Sequence, residues 1–332
     1  MSTASATDRK PEGGSGKDLV NVLFCGLLAQ GVAYPVGLDA AAALAMGIQA
    51  RSSLPCKCCD ALQVLAWVPS ALAQNETFYD FTGMLTFMAV TTFSTLGFLR
   101  RFFDGEMAAM FREGSSLVME HPLSIATSAP RHLVAMVLVL TWTTRLGTFL
   151  FARIRRDGHD SRFNGVRDRP LKFLVFWFVQ GIWVFFTSLP MLVLHKHDPK
   201  GGMGSILAQD AFGLAVWAIG FALEVVADSQ KRAFKADAAN AGKFIDVGLW
   251  SRCRHPNYVG EMTLWAGFFI FCSRGVVAGS GWLALMGPLF GAAILTFVST
   301  PMLEQGADKK YGGHAAYHEY KRTTPSLFFR LW

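Results

Sequence analysis

Charge is what this sequence has least of. Only 17% of its 332 residues are Asp, Glu, Lys or Arg, against about a quarter in soluble domains. Too little polar surface is left to coat a water-soluble globule of this length, and the mean hydropathy of +0.32 agrees. Cysteine is sparse as well: there are six, with Cys56, Cys58 and Cys59 in one short connection. A zinc site needs a second ligand pair at suitable spacing, and none is near, so no metal is expected. These thiols read as interfacial groups open to palmitoylation. No internal repeat is evident. No clean cleavage site follows the first apolar block, which therefore reads as a retained anchor. Residues 1–17 are polar and rich in Ser, Thr and Gly, the composition of a disordered tail.

What is abundant is apolar sequence, in blocks of about 20 residues, the length that crosses a bilayer. The clearest are 81–99, 132–151, 172–194, 206–227, 257–273 and 282–300. Residues 19–50 suffice for one tilted span or a tight helical pair, and 61–73 is shorter and ambiguous. The expected fold is all-α: a polytopic membrane bundle of about seven spans, within a range of roughly six to eight, forming one integral domain over 18–332. The net charge of +7 is carried unevenly. Arg153, Arg155, Arg156, Arg162, Arg167 and Arg169 crowd 152–171, and 228–256 and 305–332 are basic too, while 195–205 and 274–281 are weakly charged. The positive-inside rule then puts the three basic segments on the cytoplasmic side. A surplus confined to one side's loops reflects orientation rather than nucleic-acid binding.

Two constellations carry chemistry. The block 206–227 runs on into Glu224, Asp228, Lys231, Arg232 and Lys235, three or four apart and so on one helix face. Ionisable groups at the edge of hydrocarbon usually face a partner or a watery cavity. The carboxylates lie toward the membrane and the cations toward the cytoplasm, a gradient suited to a dinucleotide whose phosphates meet Arg232 and Lys235. An amphipathic helix end with internal ion pairs would look the same. The second constellation is Gly248-Leu-Trp-Ser-Arg-Cys-Arg-His-Pro-Asn-Tyr-Val-Gly-Glu261, leading straight into an apolar span. Pro256 suits a first helical position. Free backbone donors there, beside Arg252, Arg254 and His255, would receive an anion. Asn257 and Glu261 lie one turn apart on a common face. An ordinary cytoplasmic flank with Trp250 and Tyr258 as interfacial aromatics accounts for all of this but Glu261. His195-Lys-His197-Asp198 has metal-like chemistry but reads as a span ending in water, for want of a third ligand.

Gly248-Leu-Trp, Arg254-His-Pro-Asn-Tyr258 and Gly260-Glu261 resemble the signature of the steroid 5α-reductase and DUF1295 superfamily, relatives of which include the sterol C14 and Δ7 reductases. The likeness extends to Glu224-x-x-x-Asp228-x-Gln230, Phe234-Lys235, Asn240-x-Gly-Lys-Phe244, Arg145-Leu and Gly158-His-Asp-Ser-Arg-Phe163. It also takes in Glu304, Lys310-Tyr311, Tyr317 and Tyr320 in the tail, so it covers about 131–332. The resemblance implies NADPH in a cytoplasm-facing cavity. Around it would stand Glu224, Asp228, Arg232, Lys235, Arg254, His255, Asn257, Tyr258, Lys310, Tyr311, Tyr317 and Tyr320, with Glu261 as their partner. Arg145, Asp160 and Arg162 would hold phosphates or close the cavity. In the steroid reductases a Glu and a Tyr from the N-terminal half polarise the substrate carbonyl. Here Tyr34 and Asp60 are weak candidates, and no catalytic acid is assigned.

The function so implied is hydride transfer from NADPH to a carbon–carbon double bond of a steroid or other lipophilic substrate, in the endoplasmic reticulum membrane of a eukaryote or the inner membrane of a bacterium. Substrate and membrane lipids would be its partners. Two alternatives stand beside it. One is an S-adenosylmethionine-dependent methyltransferase of the isoprenylcysteine carboxyl methyltransferase type, which has a similar Arg-His-Pro run. The other is a non-catalytic sterol- or lipid-binding membrane protein.

Overall fold

The computed structural model describes residues 54–113, 130–197, 208–273 and 281–329, with the side chains of 54–58, 60, 102–113, 161, 197 and 281 left aside. The 19–50 block, Tyr34 and the side chain of Asp60 lie outside it. Among the described residues every regular element is helical: α1 Leu54–Leu72, α2 Tyr79–Glu113, α3 Pro130–Asp157, α4 Pro170–His197, α5 Ala208–Ala236, α6 Pro256–Ser273, α7 Gly281–Ile294, α8 Thr300–Tyr311 and α9 Ala315–Thr323. Proline opens α3, α4 and α6, where its missing N–H has no partner to lose. A π turn, Leu295–Ser299, joins α7 to α8 without a break in direction.

Five described helices are long and apolar enough to cross a membrane: Tyr79–Arg101, Pro130–Asp157, Pro170–Lys196, Ala208–Ala236 and Trp282–Tyr311. The last reaches well beyond the 282–300 block, because α7, the π turn and α8 continue one another. Helix α6 occupies the expected block at 257–273 but is not among the five. Asn257 and Glu261 at its head lower its hydropathy, and α6 stands by packing on α5. Helix α4 sits at the centre. It is apolar on all sides, and 83% of its apolar window is buried, the mark of a helix surrounded by other helices.

Helices α5 and α6 meet along a seam of small residues, Gly213 and Gly220 facing Gly267 and Gly260. A Cβ on Gly213 would come within 2.6 Å of the Phe271 backbone N, and one on Gly260 within 2.6 Å of the Glu224 backbone N. Without side chains there, the two backbones touch, as in tightly packed membrane helix pairs. The contact at Gly260 fixes the height of Glu224 relative to the head of α6, which builds the site described next.

One expectation is corrected at the far end of the bundle. His195 does not end its span in water. It is 3% exposed, its Nδ1 lies 2.7 Å from the Ser94 hydroxyl, and its ring stacks with Phe98 and His132. The apolar surroundings of α4 reach one turn further than the hydropathy of the sequence suggests.

Candidate functional site

A cavity of about 550 Å³ opens between α2, α3, α4, α5, the head of α6 and the π turn. Its mouth is charged and its inner end aromatic. The three basic segments gather at the mouth end: Arg153 and Arg162 reach α2, the Lys243 carbonyl accepts from the Tyr311 hydroxyl, and Arg254 donates to the tail.

Deep in the cavity the carboxylates of Glu224 and Asp228, 2% and 6% exposed, share one guanidinium. Arg145 Nη1 donates to Glu224 at 2.5 Å and Nη2 to Asp228 at 2.6 Å. The Trp142 indole N–H donates to the second Glu224 oxygen at 3.1 Å. Glu224 and Asp228 are one turn apart on α5, so a single arginine projecting from α3 spans both. Asn257, Tyr258 and Glu261, from the first turns of α6, line the same space. The α6 face expected from the sequence thus meets the α5 stripe, and Arg145, a peripheral candidate there, lies at the centre of the carboxylate cluster.

At the mouth, Arg162 donates to both oxygens of Asp80, at 3.1 and 2.9 Å, and to Asp160 at 2.8 Å. Arg153 adds bonds to Asp80 at 3.3 Å and Asp160 at 3.1 Å. Glu76 accepts from Arg167 and from the Asp160 backbone N–H. This network fastens the 158–169 loop onto the start of α2. Burial alone would raise the Asp160 carboxyl, but hydrogen bonds from Arg162 and the charges of Arg162 and Arg153 outweigh it and hold the group below its ordinary range. Asp160 and Arg162 therefore brace the rim and one another. Arg232 and Lys235, also on the cavity wall, form no ion pair with a carboxylate among the described residues; the nearby Asp157 is bonded to Arg156 at 2.8 Å. Lys231 lies over the Trp250 ring, 4.5 Å from its centroid.

The remaining expected residues sit elsewhere. Arg254 does not line the cavity: it forks onto Glu304 at 3.0 and 3.1 Å and donates to the carbonyls of Lys321 and Thr324. His255 shares Glu304 at 2.8 Å. The backbone N–H groups of Arg254 and His255 bind the carbonyls of Pro325 and Ser326. The two backbone donors just ahead of Pro256, and the Arg254 and His255 side chains beside them, are thus engaged by the chain's own tail. Tyr320 donates to the Trp250 carbonyl, Tyr317 to Asp308 and Tyr311 to the Lys243 carbonyl, while Phe244 packs against all three rings. Burial pushes the Tyr317 and Tyr320 phenols above their ordinary range, which keeps them donors in this strap. Lys310 lies beside the Tyr311 ring. These tail residues form a brace behind the site.

The DUF1295 family, described as one of unknown function, matches residues 112–324. The chain belongs to this family. It is similar to a probable O-methyltransferase, ustE, of Ustilaginoidea virens, with 35% identity over 103 residues that cover 29% of this chain and 36% of that protein. It is also similar to an uncharacterized protein of Schizosaccharomyces pombe, with 25% identity over 228 residues covering 58% of this chain and 62% of the other. The aligned part is thus less than two thirds of either relative's length. No solved structure matches. The DUF1295 match ends at Thr324, whose carbonyl accepts from Arg254, so the tail brace falls within the family region. It leaves out the stretch of α2 that carries Tyr79, Asp80, Met84 and Phe87, one whole wall of the cavity.

That wall is what sequence reasoning missed. Glu76 and Asp80 are two acids directly ahead of an apolar block, facing an arginine-rich loop, and that pairing was the available signal. Tyr79 is near the site, but its hydroxyl is spent on the Phe176 carbonyl at 2.9 Å.

Proposed function

We propose that this DUF1295 protein is a membrane-embedded reductase that carries hydride from NADPH to a carbon–carbon double bond of a steroid or other lipophilic substrate. The observation that carries the reading is the polarity of the cavity. Arg232 and Lys235, which form no ion pair with a carboxylate among the described residues, stand at its mouth. Glu224 lies 11 residues before Lys235 on the same helix, about 16 Å deeper at 1.5 Å per residue. An elongated ligand with anionic phosphates at one end and a neutral ring amide at the other fits such a donor set, with the phosphates on Arg232 and Lys235. NADPH, when bound, supplies the hydride.

The chain's own residues supply position and field. Arg145 and Trp142 hold the two α5 carboxylates in one orientation, and Asn257 offers an amide to the same space. The aromatic inner end keeps water from the reacting carbon and accepts an apolar partner. For a conjugated ketone, a hydrogen bond to the carbonyl would stabilise the enolate as hydride arrives at the β carbon. Three arginine- and lysine-rich segments at the mouth end support a cytoplasmic opening, and the endoplasmic reticulum is the expected membrane in a eukaryotic cell.

A second reading is transfer of a methyl group from S-adenosylmethionine. Two observations favour it: the name of the Ustilaginoidea virens relative, and three carboxylates, Glu224, Asp228 and Glu261, around one guanidinium, a surplus suited to a cationic ligand. Turnover decides between them. The full chain in lipid nanodiscs, given a lipid extract and each cofactor in turn, is expected to oxidise NADPH and yield products heavier by two hydrogens. Products heavier by one CH2, a methyl in place of a hydrogen, with no NADPH oxidised, would overturn the reductase reading in favour of the second.

A further inference from the structure

The inner end of the cavity holds two polar side chains that the fold itself does not use. Gln180, on α4, is 7% exposed and Thr143, on α3, is 2% exposed. Gln180 Oε1 and Thr143 Oγ1 are buried and have no hydrogen-bond partner, and among the described residues no other cavity-lining side chain has such an atom. Thr86 on α2 bonds back to the Thr82 carbonyl at 2.8 Å; Thr143 makes no such bond. The hydroxyls of Thr91 and Thr187 also have no partner but do not line the cavity. A buried polar group without a partner is costly, more so at membrane depth where water is scarce. Neither residue is repaid by the packing around it.

The surroundings specify the ligand. Phe87 meets Trp142 and Trp183 edge-on, with centroids 5.2 and 5.0 Å away, and Trp142 and Trp183 are 6.0 Å apart. These three rings line the cavity beside Gln180 and present flat apolar faces and edges, which suit a rigid ring system. Gly83 makes room for the amide: a Cβ there would lie 2.7 Å from Gln180 Nε2 and 3.0 Å from its Cδ. A flexible lipid chain needs neither the rings nor the amide.

We infer that the inner end of the cavity binds a ring-bearing lipophile through a hydroxyl group, which donates to Gln180 and exchanges a second hydrogen bond with Thr143. Gln180 is then a specificity-determining residue. The inference rests on the cavity being the substrate site and holds for either transferred group.

The test uses the full chain in nanodiscs and a matched pair of probes: a radiolabelled sterol alcohol, and the same sterol with the hydroxyl replaced by hydrogen. The wild type is expected to bind the alcohol at least about tenfold more tightly, the worth of one well-formed hydrogen bond. Gln180→Leu is expected to abolish that preference. Gly83→Ala, which drives the amide from its place, should reduce it severalfold. NADPH-induced stabilisation, measured on the same samples, reports on the distant mouth and is expected to persist in both variants. Its loss from the wild type would count against the cofactor reading and leave this one standing. Equal affinity of the wild type for the two probes, binding of neither, or an undiminished preference in Gln180→Leu would overturn the inference. If Gln180→Leu fails to fold, the wild-type pair and Gly83→Ala still decide.

Discussion

Arg145→Met is expected to be the most damaging single change in the polar interior, costing about 3–5 kcal/mol, the usual penalty for removing one partner of a buried ion pair. Two carboxylates depend on this one guanidinium, and both are nearly inaccessible: the Glu224 and Asp228 side chains are 3% and 8% exposed. With Arg145 gone, Trp142 alone would serve Glu224, and Asp228 would lose its hydrogen bond to the guanidinium. A loss of that size is a large part of the stability of a typical domain, so the variant should elute as aggregate from detergent or unfold many degrees lower. The cause is separable from the loss of packing. Arg145→Met combined with Glu224→Gln and Asp228→Asn removes the stranded charges and is expected to recover most of the thermal stability while remaining inactive. If Arg145→Met alone melts like the wild type, the cluster is not held as described.

The second large effect is expected at Gly220. A Cβ there would press on the backbone of Leu264 and the carbonyl of Gly260, and backbone cannot turn aside as a side chain can. Over-packing in a filled interior costs about 1–3 kcal/mol and sometimes more. Gly220→Leu should exceed that range, because it parts α5 from α6 and carries Glu224 away from Asn257 and Glu261. Gly306 is the control: it lies in helix α8 with nothing near its Cβ position, so Gly306→Ala is expected to be neutral or to stabilise by up to about 1 kcal/mol. Thermal unfolding of the three proteins in detergent measures both outcomes. A Gly220→Leu variant with a wild-type melting temperature would deny the close seam.

These two sites mark how far the sequence could be read. The α5 stripe and the Asn257/Glu261 face were legible, because helical spacing puts residues one turn apart on one side whatever their surroundings. Which partner neutralised the carboxylates was not. Arg145 lies 79 residues from Glu224, and no periodicity reports a contact at that separation. The contacts of the tail were illegible for a related reason. Tyr311, Tyr317, Tyr320 and Lys310 have the chemistry of a phosphate strap, yet Arg254 and Phe244 draw the tail against the 243–256 segment, and its carbonyls take the backbone donors ahead of Pro256. The donors flanking a helix start are receptive only until the chain supplies its own acceptor. Gln180 was visible as a lone amide in the 172–194 block, but only the three aromatic rings around it give it meaning. The spans were the plainest feature, since some twenty apolar residues in a row are decided by solvent alone.

The central claim is that a phosphate-bearing redox carrier lies along α5 with its anionic end at Arg232 and Lys235. The most direct measurement is the melting temperature of the full chain in detergent, titrated separately with NADPH and S-adenosylmethionine, for the wild type and for Arg232→Ala/Lys235→Ala. A ligand at a hundred times its Kd stabilises by about 2.7 kcal/mol. NADPH is expected to give a shift of that order in the wild type, diminished by added salt, with S-adenosylmethionine giving none. The double variant should need at least about a hundredfold more NADPH, the loss of two charge-assisted contacts. Stabilisation by S-adenosylmethionine alone, or an NADPH shift unchanged in the double variant, would contradict the account.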